Sequence, residues 1–222
     1  MTDLTPTARS RVKRLHERGA YDFETITAIL DAELLCHVGY IIDAQPYVTP
    51  TAYWREGEHL YWHGSSASRM LRTMEKGVDV CFTVSHLDGL VLARSGFNHS
   101  INYRSVMLFG RARKIEDDGA KLRALESFVE HLFPGRWKQL RPATAQEVKA
   151  TTVLSMAIEE GSAKVRTGWP HDNDDDYSWP VWAGVVPVRA VMQSPVPDEQ
   201  LADTWEPPAC LADLRHLGIS AK

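Results

Sequence analysis

The sequence predicts a mainly β (α+β) fold, a small antiparallel barrel with peripheral helices. Six or so β-rich segments follow one another in meander order, and the helix-forming segments lie toward the ends. No strand–helix–strand alternation is present, which argues against a Rossmann-type sheet. We therefore expect one domain over residues 1–222, with the barrel core at about 20–190, a helical segment at 8–18 and an irregular tail at 191–222.

The composition narrows the class of protein. The 222 residues are 44% hydrophobic, which is ample for a packed core, and the net charge of −4 without a basic block argues against a dedicated nucleic-acid binder. No apolar run is long enough to cross a bilayer, and the N-terminus has no signal pattern. Three scattered cysteines are typical of reduced thiols. We expect a cytoplasmic protein without a membrane or nucleic-acid partner.

Helices and then strands are predicted for the first third of the chain. Basic residues indicate a short exposed helix at 8–18, and Asp22 is a typical N-cap for a second helix through about Glu33. Residues 35–42, 47–54 and 59–63 have the composition of strands, and a short helix follows them. Pro50 cannot donate to a ladder, so its strand should be an edge or carry a bulge there.

Long strands and two helices are predicted for the rest of the chain. Strands are expected at 78–85, 101–115 and 151–158, while residues 87–100 fit no clear period. Asp117 and Asp118 begin a helix that ends near Leu132, and Thr144 with Glu147 forms a capping box for a shorter one. The two cations of 162–168 then indicate either a solvated strand end or a functional pair.

Segment 60–69 changes from a strand to a small-residue loop and then to a helix. Gly64 and three serines separate the aromatic strand from a helical sequence that begins near Ser68 and Arg69. Free amides at a helix N-terminus favour an anion, and arginine adds bidentate geometry for phosphate oxygens. The segment therefore indicates either an anion site or an ordinary turn in which a serine caps the helix.

Histidine and acidic residues do not form a metal-binding pattern, and no metal site is predicted. His59 and His63 would be roughly 13 Å apart on one strand, too far to bind one ion. The acidic run 172–176 lacks the glycine and the closing glutamate of a calcium loop, so it is interpreted as a solvated charge run. Nucleophile-elbow, P-loop and dinucleotide motifs are absent.

Polar and aromatic residues elsewhere have two interpretations each. Arg94 lies in an apolar run and should be paired with a carboxylate or a ligand, because buried cations are rarely left unpaired. Residues 102–105 form either the rim of a strand or a polar wall that faces a heteroaromatic ligand. Trp169, Trp179 and Trp182 are more typical of core or interface positions than of ligand stacking.

Several short segments, in this order along nearly the whole chain, form a specific set. They are Tyr21–Asp22, Pro46–Thr51, Tyr61–Ser65, Ser68–Arg69, Asp88–Ser95, Asn102–Val106, Phe109–Gly110, Phe133–Trp137 and Ser162–Gly168. Together they resemble the FMN-binding split-barrel superfamily of pyridoxamine 5'-phosphate oxidase. The resemblance is greatest to its flavin-nucleotide-binding branch, which is related to the Nim-type nitroimidazole reductases.

The resemblance implies a six-stranded antiparallel split β-barrel and a homodimer with two FMN sites at the subunit interface. The implied cofactor-binding residues are Val48, Thr49, Pro50, Thr51, Tyr61, Trp62, His63, Ser68, Arg69, Arg104, Ser105 and Lys164. Among them, the backbone of 48–51 would meet the polar edge of the isoalloxazine ring, and Ser68 with Arg69 would hold the phosphate. His63 is the implied catalytic residue, as a proton donor or substrate contact. Arg104 and Ser105 would reach the flavin across the interface.

These implications lead to the hypothesis of an FMN-dependent oxidoreductase. It would pass electrons from a reduced nicotinamide or another donor to a small organic acceptor. The alternatives are a flavin carrier or sensor without turnover, and a split barrel that binds haem through histidine. The arginine and histidine that bind pyridoxal phosphate in true pyridoxamine phosphate oxidases have no clear counterpart near the C-terminus, so that activity is not predicted.

Overall fold

The computed structural model describes residues 2–201, 206–212, 214 and 220–221. Within them, the strands are β1 (Gly19–Ala20), β2 (Leu35–Ile42), β3 (Gln45–Glu56), β4 (His59–Ser65), β5 (Asp79–Leu92), β6 (Ser100–Arg111), β7 (Arg113–Lys114), β8 (Thr151–Ala157), β9 (Gly161–Arg166), β10 (Gly184–Pro187), β11 (Val191–Met192) and β12 (Ser220–Ala221). The helices are α1 (Phe23–Asp31), α2 (Arg69–Met74), α3 (Asp118–Leu132) and α4 (Ala145–Ala150). In this described part, no helix is long and apolar enough to cross a membrane.

Six antiparallel strand paths form the barrel. β6 pairs with β5, and the order continues through β2, β3, β4 and β8. β8 then pairs with β7, which continues β6 after the single residue Ala112. Because β6 and β7 are one strand path, the sheet returns to its first strand. The predicted six-stranded antiparallel split barrel is therefore confirmed, with β9 and β10 added beside β6 and β5.

Alternate side chains of the strands fill the barrel interior. Large residues with no solvent exposure include Val38, Leu60, Trp62, Phe82, Leu108 and Leu154. Helix α1 packs its apolar face, with Ile26 and Leu30, into the same core. Each such side chain contributes about 1.5–3 kcal/mol through removal of apolar surface from water.

The helices begin at the predicted caps. Asp22 and Asp117 each accept a hydrogen bond from the amide three residues further on, at 2.7 Å. Thr144 and Glu147 exchange the two hydrogen bonds of a capping box at the start of α4. These three N-termini depend on hydrogen bonds within four residues, which is why the sequence pattern was sufficient to predict them.

The helix predicted at 8–18 is wrong. Residues 8–10 form a turn, and only His16–Arg18 form a short 3-10 helix. Leu15 has a φ of 53°, a left-handed conformation that interrupts a helix. The Tyr21 hydroxyl instead accepts the hydrogen bond of the Val12 amide at 2.8 Å. Two apolar positions were too few to hold a helix of this length against the barrel.

Two strands differ from the prediction further along the chain. β5 continues to Leu92 through a register shift between Leu87 and Gly89, which explains why residues 87–100 had no clear period. Residues 161–166 form β9 and pair with β6, so the interpretation as a solvated strand end is wrong. Gly161 permits this pairing, because a Cβ atom there would lie 2.5 Å from the Met107 carbonyl oxygen.

Candidate functional site

β3 and β4 separate part-way along the barrel. They pair from Tyr53 and Trp62 to Glu56 and His59. Beyond that point, within the described residues, β3 continues beside β2 alone and β4 continues beside β8 alone. Residues 48–52 of β3 therefore have one paired edge and one open edge. An open strand edge presents backbone donors and acceptors that a ligand can use.

Alternate residues of β3 direct their backbone N–H and C=O groups toward the open edge. The Tyr53 amide donates to the Leu34 carbonyl oxygen at 3.4 Å, on the β2 side. Alternation along the strand then directs the backbone groups of Val48, Pro50 and Ala52 toward the open edge. Pro50 has no backbone N–H group that would lack a partner at the open edge. The register between β2 and β3 is continuous. The predicted edge position of Pro50 is confirmed, and the structure has no bulge at this residue.

The side chains of the same segment lie on two faces. Val48 is 67% exposed, and Pro50 is exposed on the same outer face. Thr49 and Thr51 are half-buried on the other face, where the Tyr40 hydroxyl lies 3.1 Å from Thr49 Oγ1. A ligand at this edge would therefore meet apolar surface on one side and hydroxyl groups on the other.

Arg69 lies beside this strand. Its guanidinium carbon is 4.6 Å from the ring centroid of Tyr47, the residue before Val48. The Ser68 hydroxyl accepts a hydrogen bond from the Leu71 amide at 3.5 Å, so this serine caps α2. No carboxylate among the described residues forms an ion pair with Arg69. Its charge is available to an anion at the open edge, and Tyr47 holds the guanidinium in place.

Trp62 lies inside the barrel. Its side chain has no solvent exposure and is 5.9 Å from Phe82, measured between ring centroids. The indole therefore cannot reach a ligand at the open edge, which corrects the implied side-chain contact of Trp62 with a cofactor. Strand alternation is the reason, since Trp62 faces the core while its two neighbours face outward.

Tyr61 and His63 lie on the opposite face of β4, beneath α3. The His63 ring is 4.8 Å from Phe128 and 5.9 Å from Trp54 between centroids, and its Nδ1 atom is buried without a hydrogen-bond partner. A cavity of about 230 Å³, lined mainly by apolar residues of α3 and α4, adjoins it. Burial lowers the pKa of His63, so the neutral imidazole is favoured at neutral pH. Such a histidine is better suited to accept a proton than to donate one.

Arg104, Ser105 and Lys164 form a separate group on β6 and β9. Arg104 forms a bidentate ion pair with Asp88, with both N···O distances 2.9 Å. The Ser105 hydroxyl donates to the Lys164 carbonyl oxygen at 3.3 Å, and the lysine ammonium donates to the Arg14 carbonyl oxygen at 3.3 Å. A cavity of about 640 Å³ with polar and charged walls, including Arg104 and Asp88, adjoins this group.

The predicted site residues therefore occupy three places. Arg69 stands beside residues 48–51, Tyr61 and His63 lie beneath α3, and Arg104 belongs to the β6–β9 group. Among the described residues, no hydrogen bond or ion pair joins the β6–β9 group to Arg69.

Arg94 is paired with a carboxylate, as one of its two interpretations predicted. Its Nη1 atom is 3.1 Å from Asp172, which also accepts hydrogen bonds from the Arg94 and Ser95 amides and from Asn98 Nδ2. The Asp172 side chain has no solvent exposure. Burial alone would raise the pKa of Asp172, but the bonds from Arg94, Asn98 and Ser95 outweigh it and hold that pKa below its usual range.

The sequence analysis missed two of these partners. Asp172 was assigned to a solvated run, and that interpretation is wrong for this residue, whereas Asp174–Ser178 form an exposed 3-10 turn. Asp88 was not identified as the partner of Arg104, because the register shift in β5 hides which residues face each other. The described residues contain no group of three or more histidines, cysteines and carboxylates arranged to hold a metal ion.

This chain is similar to a known protein family and to solved structures. The model of the pyridoxamine 5'-phosphate oxidase family matches residues 22–165. The flavocytochrome Anf3 from Azotobacter vinelandii is 48% identical, with a TM-score of 0.91 over 96% of this chain and 99% of that one. The FAD and haem binding protein from Mycobacterium smegmatis is 34% identical, with a TM-score of 0.85 over 89% and 97% of the two chains.

A third solved structure shares the fold alone. It is a candidate 5-nitroimidazole antibiotic resistance protein from Bacteroides thetaiotaomicron VPI-5482, 24% identical, with a TM-score of 0.55 over 66% of this chain and 86% of that one. No curated protein matches the chain.

Proposed function

This chain belongs to the pyridoxamine 5'-phosphate oxidase family, and on that premise we propose that it is a flavin-dependent oxidoreductase. The observation that carries the proposal is the open edge of β3 at residues 48–52, with Arg69 beside it, a cation that forms no ion pair among the described residues. A flavin has a planar ring with a polar edge, joined by a ribityl chain to a phosphate. The open edge and Arg69 offer complementary groups for both ends.

The residues present fit a flavin in chemical terms. The carbonyl and imide groups of the isoalloxazine edge would bond to the free backbone groups of Val48, Pro50 and Ala52. Arg69 would bind the phosphate, since a guanidinium offers two parallel donors to phosphate oxygens. Thr49 and Thr51 would add hydroxyl contacts. Ser68 would contribute through its position at the start of α2 rather than through its side chain, which caps the helix.

A bound flavin would supply the redox chemistry, and the protein would supply orientation and proton transfer. Neutral His63, with its free Nδ1 atom, would accept a proton from a donor or a substrate in the adjoining cavity. The apolar wall of α3 and α4 would exclude water from that proton transfer. A cavity of about 230 Å³ limits the reacting group to a small organic one.

FMN is the flavin that the resemblance to the split-barrel superfamily implies. The 34% identical relative is described as FAD-binding, and both flavins share the ring, the ribityl chain and the first phosphate. The contacts proposed above serve this shared part. The identity of the flavin is decided by releasing it from the purified protein with acid and separating FMN from FAD by chromatography.

We further propose that the protein is a homodimer and that the flavin site is completed across the interface. Arg104, Ser105 and Lys164 belong to β6 and β9, whereas Arg69 lies beside β3, and β5 and β2 stand between β6 and β3 in the sheet. A second subunit is therefore the simplest way to bring both groups to one ligand. The outer face of β2, β3 and β6 exposes large apolar side chains that a partner would cover. These side chains, the outer sheet face hereafter, are Leu35, Ile41, Val48 and Met107.

Haem is the second cofactor that we propose. The descriptions of the 48% and 34% identical proteins both indicate haem. The first is described as a flavocytochrome and the second as a haem binding protein. Haem supplies one-electron chemistry, so a protein with both groups would exchange electrons between a two-electron and a one-electron partner. The alternative to an enzyme is a non-catalytic flavin carrier, which binds the cofactor without turnover.

The test begins with visible absorption spectra of the purified protein, before and after addition of FMN and of FAD. A flavin spectrum altered by the protein supports the proposal. Arg69→Ala should weaken the affinity for flavin by at least about tenfold through the lost charge-assisted bonds to phosphate. The matched control is Arg113→Ala, an arginine on β7 that pairs with Ser155 of β8, and it should leave the affinity unchanged.

Two outcomes would contradict the proposal. Added flavin with an unperturbed spectrum would remove flavin binding, and an Arg69→Ala variant with wild-type affinity would remove the phosphate assignment. Rapid-mixing reduction by NADH and NADPH then separates an enzyme from a carrier. An enzyme oxidises its donor repeatedly when a suitable acceptor is present, whereas a carrier is reduced once.

A further inference from the structure

The barrel wall has a second gap, where the β6–β7 path changes its partner. β6 pairs with β9 only as far as Leu108, and β7 pairs with β8 from Arg113 onward. In the described ladders, the residues between these two points, 109–111, pair with β5 alone. A cavity of about 510 Å³ adjoins the gap. This volume lies within the range of pockets that hold small organic ligands.

The register of β4, β8 and β7 places three polar side chains beside this cavity. Arg113 is the direct partner of Ser155, and His59 is the direct partner of Ala157, two positions further along β8. Directly paired residues have Cβ atoms about 5 Å apart on one face of the sheet. Residues two apart on a strand share that face as well. His59, Ser155 and Arg113 therefore lie on one face, and all three line the cavity.

Helix α3 covers this face of the sheet only in part. Val153, two positions before Ser155 on β8, has no solvent exposure and packs in a cluster with Ala124 of α3. Beyond that point Ser155 is half-buried, and His59 and Arg113 are exposed. A ligand can therefore enter the cavity from solvent without displacement of the helix.

The polar groups of the cavity have unused hydrogen-bonding capacity. Arg111 is paired with Asp79 at 3.0 Å, but Arg113 forms no ion pair or hydrogen bond through its guanidinium among the described residues. The Ser155 hydroxyl and the His59 ring also have no hydrogen-bond partner in the part of the chain that the structure describes. A guanidinium, a hydroxyl and an imidazole together suit the three terminal oxygens of a phosphate group.

One carboxylate restricts the kind of phosphate compound that fits. Glu159 lines the same cavity but forms no ion pair with Arg113, so the two charges stand apart. A carboxylate repels bare phosphate and accepts hydrogen bonds from hydroxyl groups. The nearby Glu56, the partner of His59 on β3, instead accepts a hydrogen bond from the Trp54 indole at 2.9 Å. The cavity therefore favours a phosphate that is joined to a hydroxylated body.

From this arrangement we propose that the cavity between β6 and β8 is a binding site for small phosphorylated metabolites with hydroxyl groups. Arg113 binds the phosphate, Ser155 and His59 donate to its other oxygens, and Glu159 accepts from the hydroxyl groups. The site is separate from the proposed flavin site, because His59 lies at the end of β4 that stays paired with β3. The inference therefore does not depend on flavin binding.

The test is isothermal titration of the full-length protein with ribose 5-phosphate, inorganic phosphate and uncharged ribose. The wild type should bind ribose 5-phosphate more tightly than inorganic phosphate and should not bind ribose. Arg113→Ala should weaken the binding of ribose 5-phosphate by at least about tenfold, because the charge-assisted bonds to phosphate are lost. Arg123→Ala, an exposed arginine on α3, is the matched control and should behave as the wild type.

A second substitution gives an effect that misfolding cannot produce. Glu159→Gln removes the charge that repels phosphate, so it should strengthen the binding of inorganic phosphate by about threefold. The preference for ribose 5-phosphate over inorganic phosphate should become smaller in the same variant. An unchanged affinity for inorganic phosphate in Glu159→Gln would overturn the assignment of this carboxylate to the site.

The remaining outcomes separate this site from the flavin site. A wild-type protein that does not bind ribose 5-phosphate, or an Arg113→Ala protein with the wild-type affinity, overturns the inference. Loss of binding in Arg69→Ala alone assigns the phosphate to the open edge of β3 and also overturns it. Flavin affinity, measured on the same variants, tests the proposed function separately, since Arg113→Ala should retain it.

Discussion

A single buried carboxylate holds two distant segments of this chain together. Asp172 receives hydrogen bonds from two backbone amides, an amide side chain and a guanidinium, all from residues 94–98. These four donor groups fix the loop that follows β5 against the loop that follows β9.

Asp172→Asn should lower the melting temperature at pH 7, because the amide keeps the shape but loses the charge and one acceptor. The folded pKa of Asp172 is below its ordinary value of 3.8. Its contribution to stability is therefore complete above that pH and is lost as the pH falls through the folded pKa. Melting curves from pH 7 to pH 3 should show the difference from the wild type becoming smaller below about 3.8.

The control for this prediction is Asp175→Asn, an exposed carboxylate in the same acidic run. It should change the melting temperature little at any pH. Equal effects of the two substitutions would show that the run stabilises the fold only through its total charge.

At the scale of residues, the sequence predicted what a side chain requires, but it did not predict which distant residue meets that requirement. A buried arginine needs a partner, so pairing of Arg94 was predictable, but nothing in the sequence selects a carboxylate 78 residues away. Alternation in β4 likewise predicts that Trp62 and His63 face opposite sides. Which side is the core is decided by the sheet as a whole.

At the scale of elements, one glycine permits the pairing of β9 with β6. A Cβ atom at Gly161 would lie 2.5 Å from the Met107 carbonyl oxygen, a backbone atom that cannot move without breaking the sheet. Gly161→Ala should therefore lower the free energy of unfolding by about 1–3 kcal/mol or more. Urea denaturation measures this change.

Gly96→Ala is the matched control for the glycine prediction. No atom lies within 4 Å of a Cβ built at Gly96, so the substitution should be neutral within about 0.5 kcal/mol. If Gly161→Ala were equally neutral, the backbone of β9 would have to shift away from β6 without cost, and the tight approach would not be a constraint on the fold.

The two C-terminal helices are joined by a buried lysine. Lys121 of α3 is 5% exposed, and its ammonium donates to the Val148 carbonyl oxygen of α4 and to Asp118, each at 3.1 Å. Lys121→Met should reduce stability by about 1–3 kcal/mol, because the Val148 carbonyl loses a charged donor. Denaturant titration checks this value, with the exposed Lys149→Met of α4 as the control.

The contradicting result for this prediction is equal stability of Lys121→Met and the wild type. Methionine would then fill the space as well as lysine does, and the apolar contacts of α3 and α4 alone would hold the two helices.

Predictions of helices and strands were correct where the interactions that set an element lie within a few residues, and they failed where the partner is distant in sequence. Helix caps and the hairpin between β2 and β3 are set within a few residues, and Asp43 and Ala44 adopt the positive φ values of a tight turn there. The strand β9 and the register shift in β5 depend on partners about 60 and 15 residues away, so pattern alone did not predict them. The helix predicted at 8–18 was wrong because its basic residues satisfied a helical pattern without a surface to pack on.

At the scale of the whole molecule, the closure of the barrel and the separation of β4 from β3 have the same origin. The β6–β7 path pairs with β5 at one end and with β8 at the other, so closing the sheet forces β4 to follow β8 away from β3. The open edge of β3 follows from that divergence. Pro46 and Pro50 keep the edge from accepting another strand, since the alternation of the backbone places both where a donor would otherwise face it.

The outer sheet face provides the test of the proposed dimer. Ile41 is 58% exposed on β2, opposite Pro46 and away from the residues proposed to contact the flavin. In a two-fold interface, Ile41→Glu introduces two carboxylates into a buried apolar surface without partners, at a cost of several kcal/mol. Light scattering after size exclusion should therefore give the mass of a monomer. Flavin affinity should fall as well, because Arg104 would no longer reach the site across the interface.

Leu140→Glu is the matched control, since Leu140 is 41% exposed on a loop outside the sheet, and it should leave the dimer intact. An Ile41→Glu protein with the wild-type dimer mass would show that the subunits meet through another surface. A monomeric Ile41→Glu protein that still binds flavin with wild-type affinity would show instead that one chain holds the complete site. Arg104 and Lys164 would then have a structural function on β6 and β9, and the open edge with Arg69 would be sufficient for the cofactor.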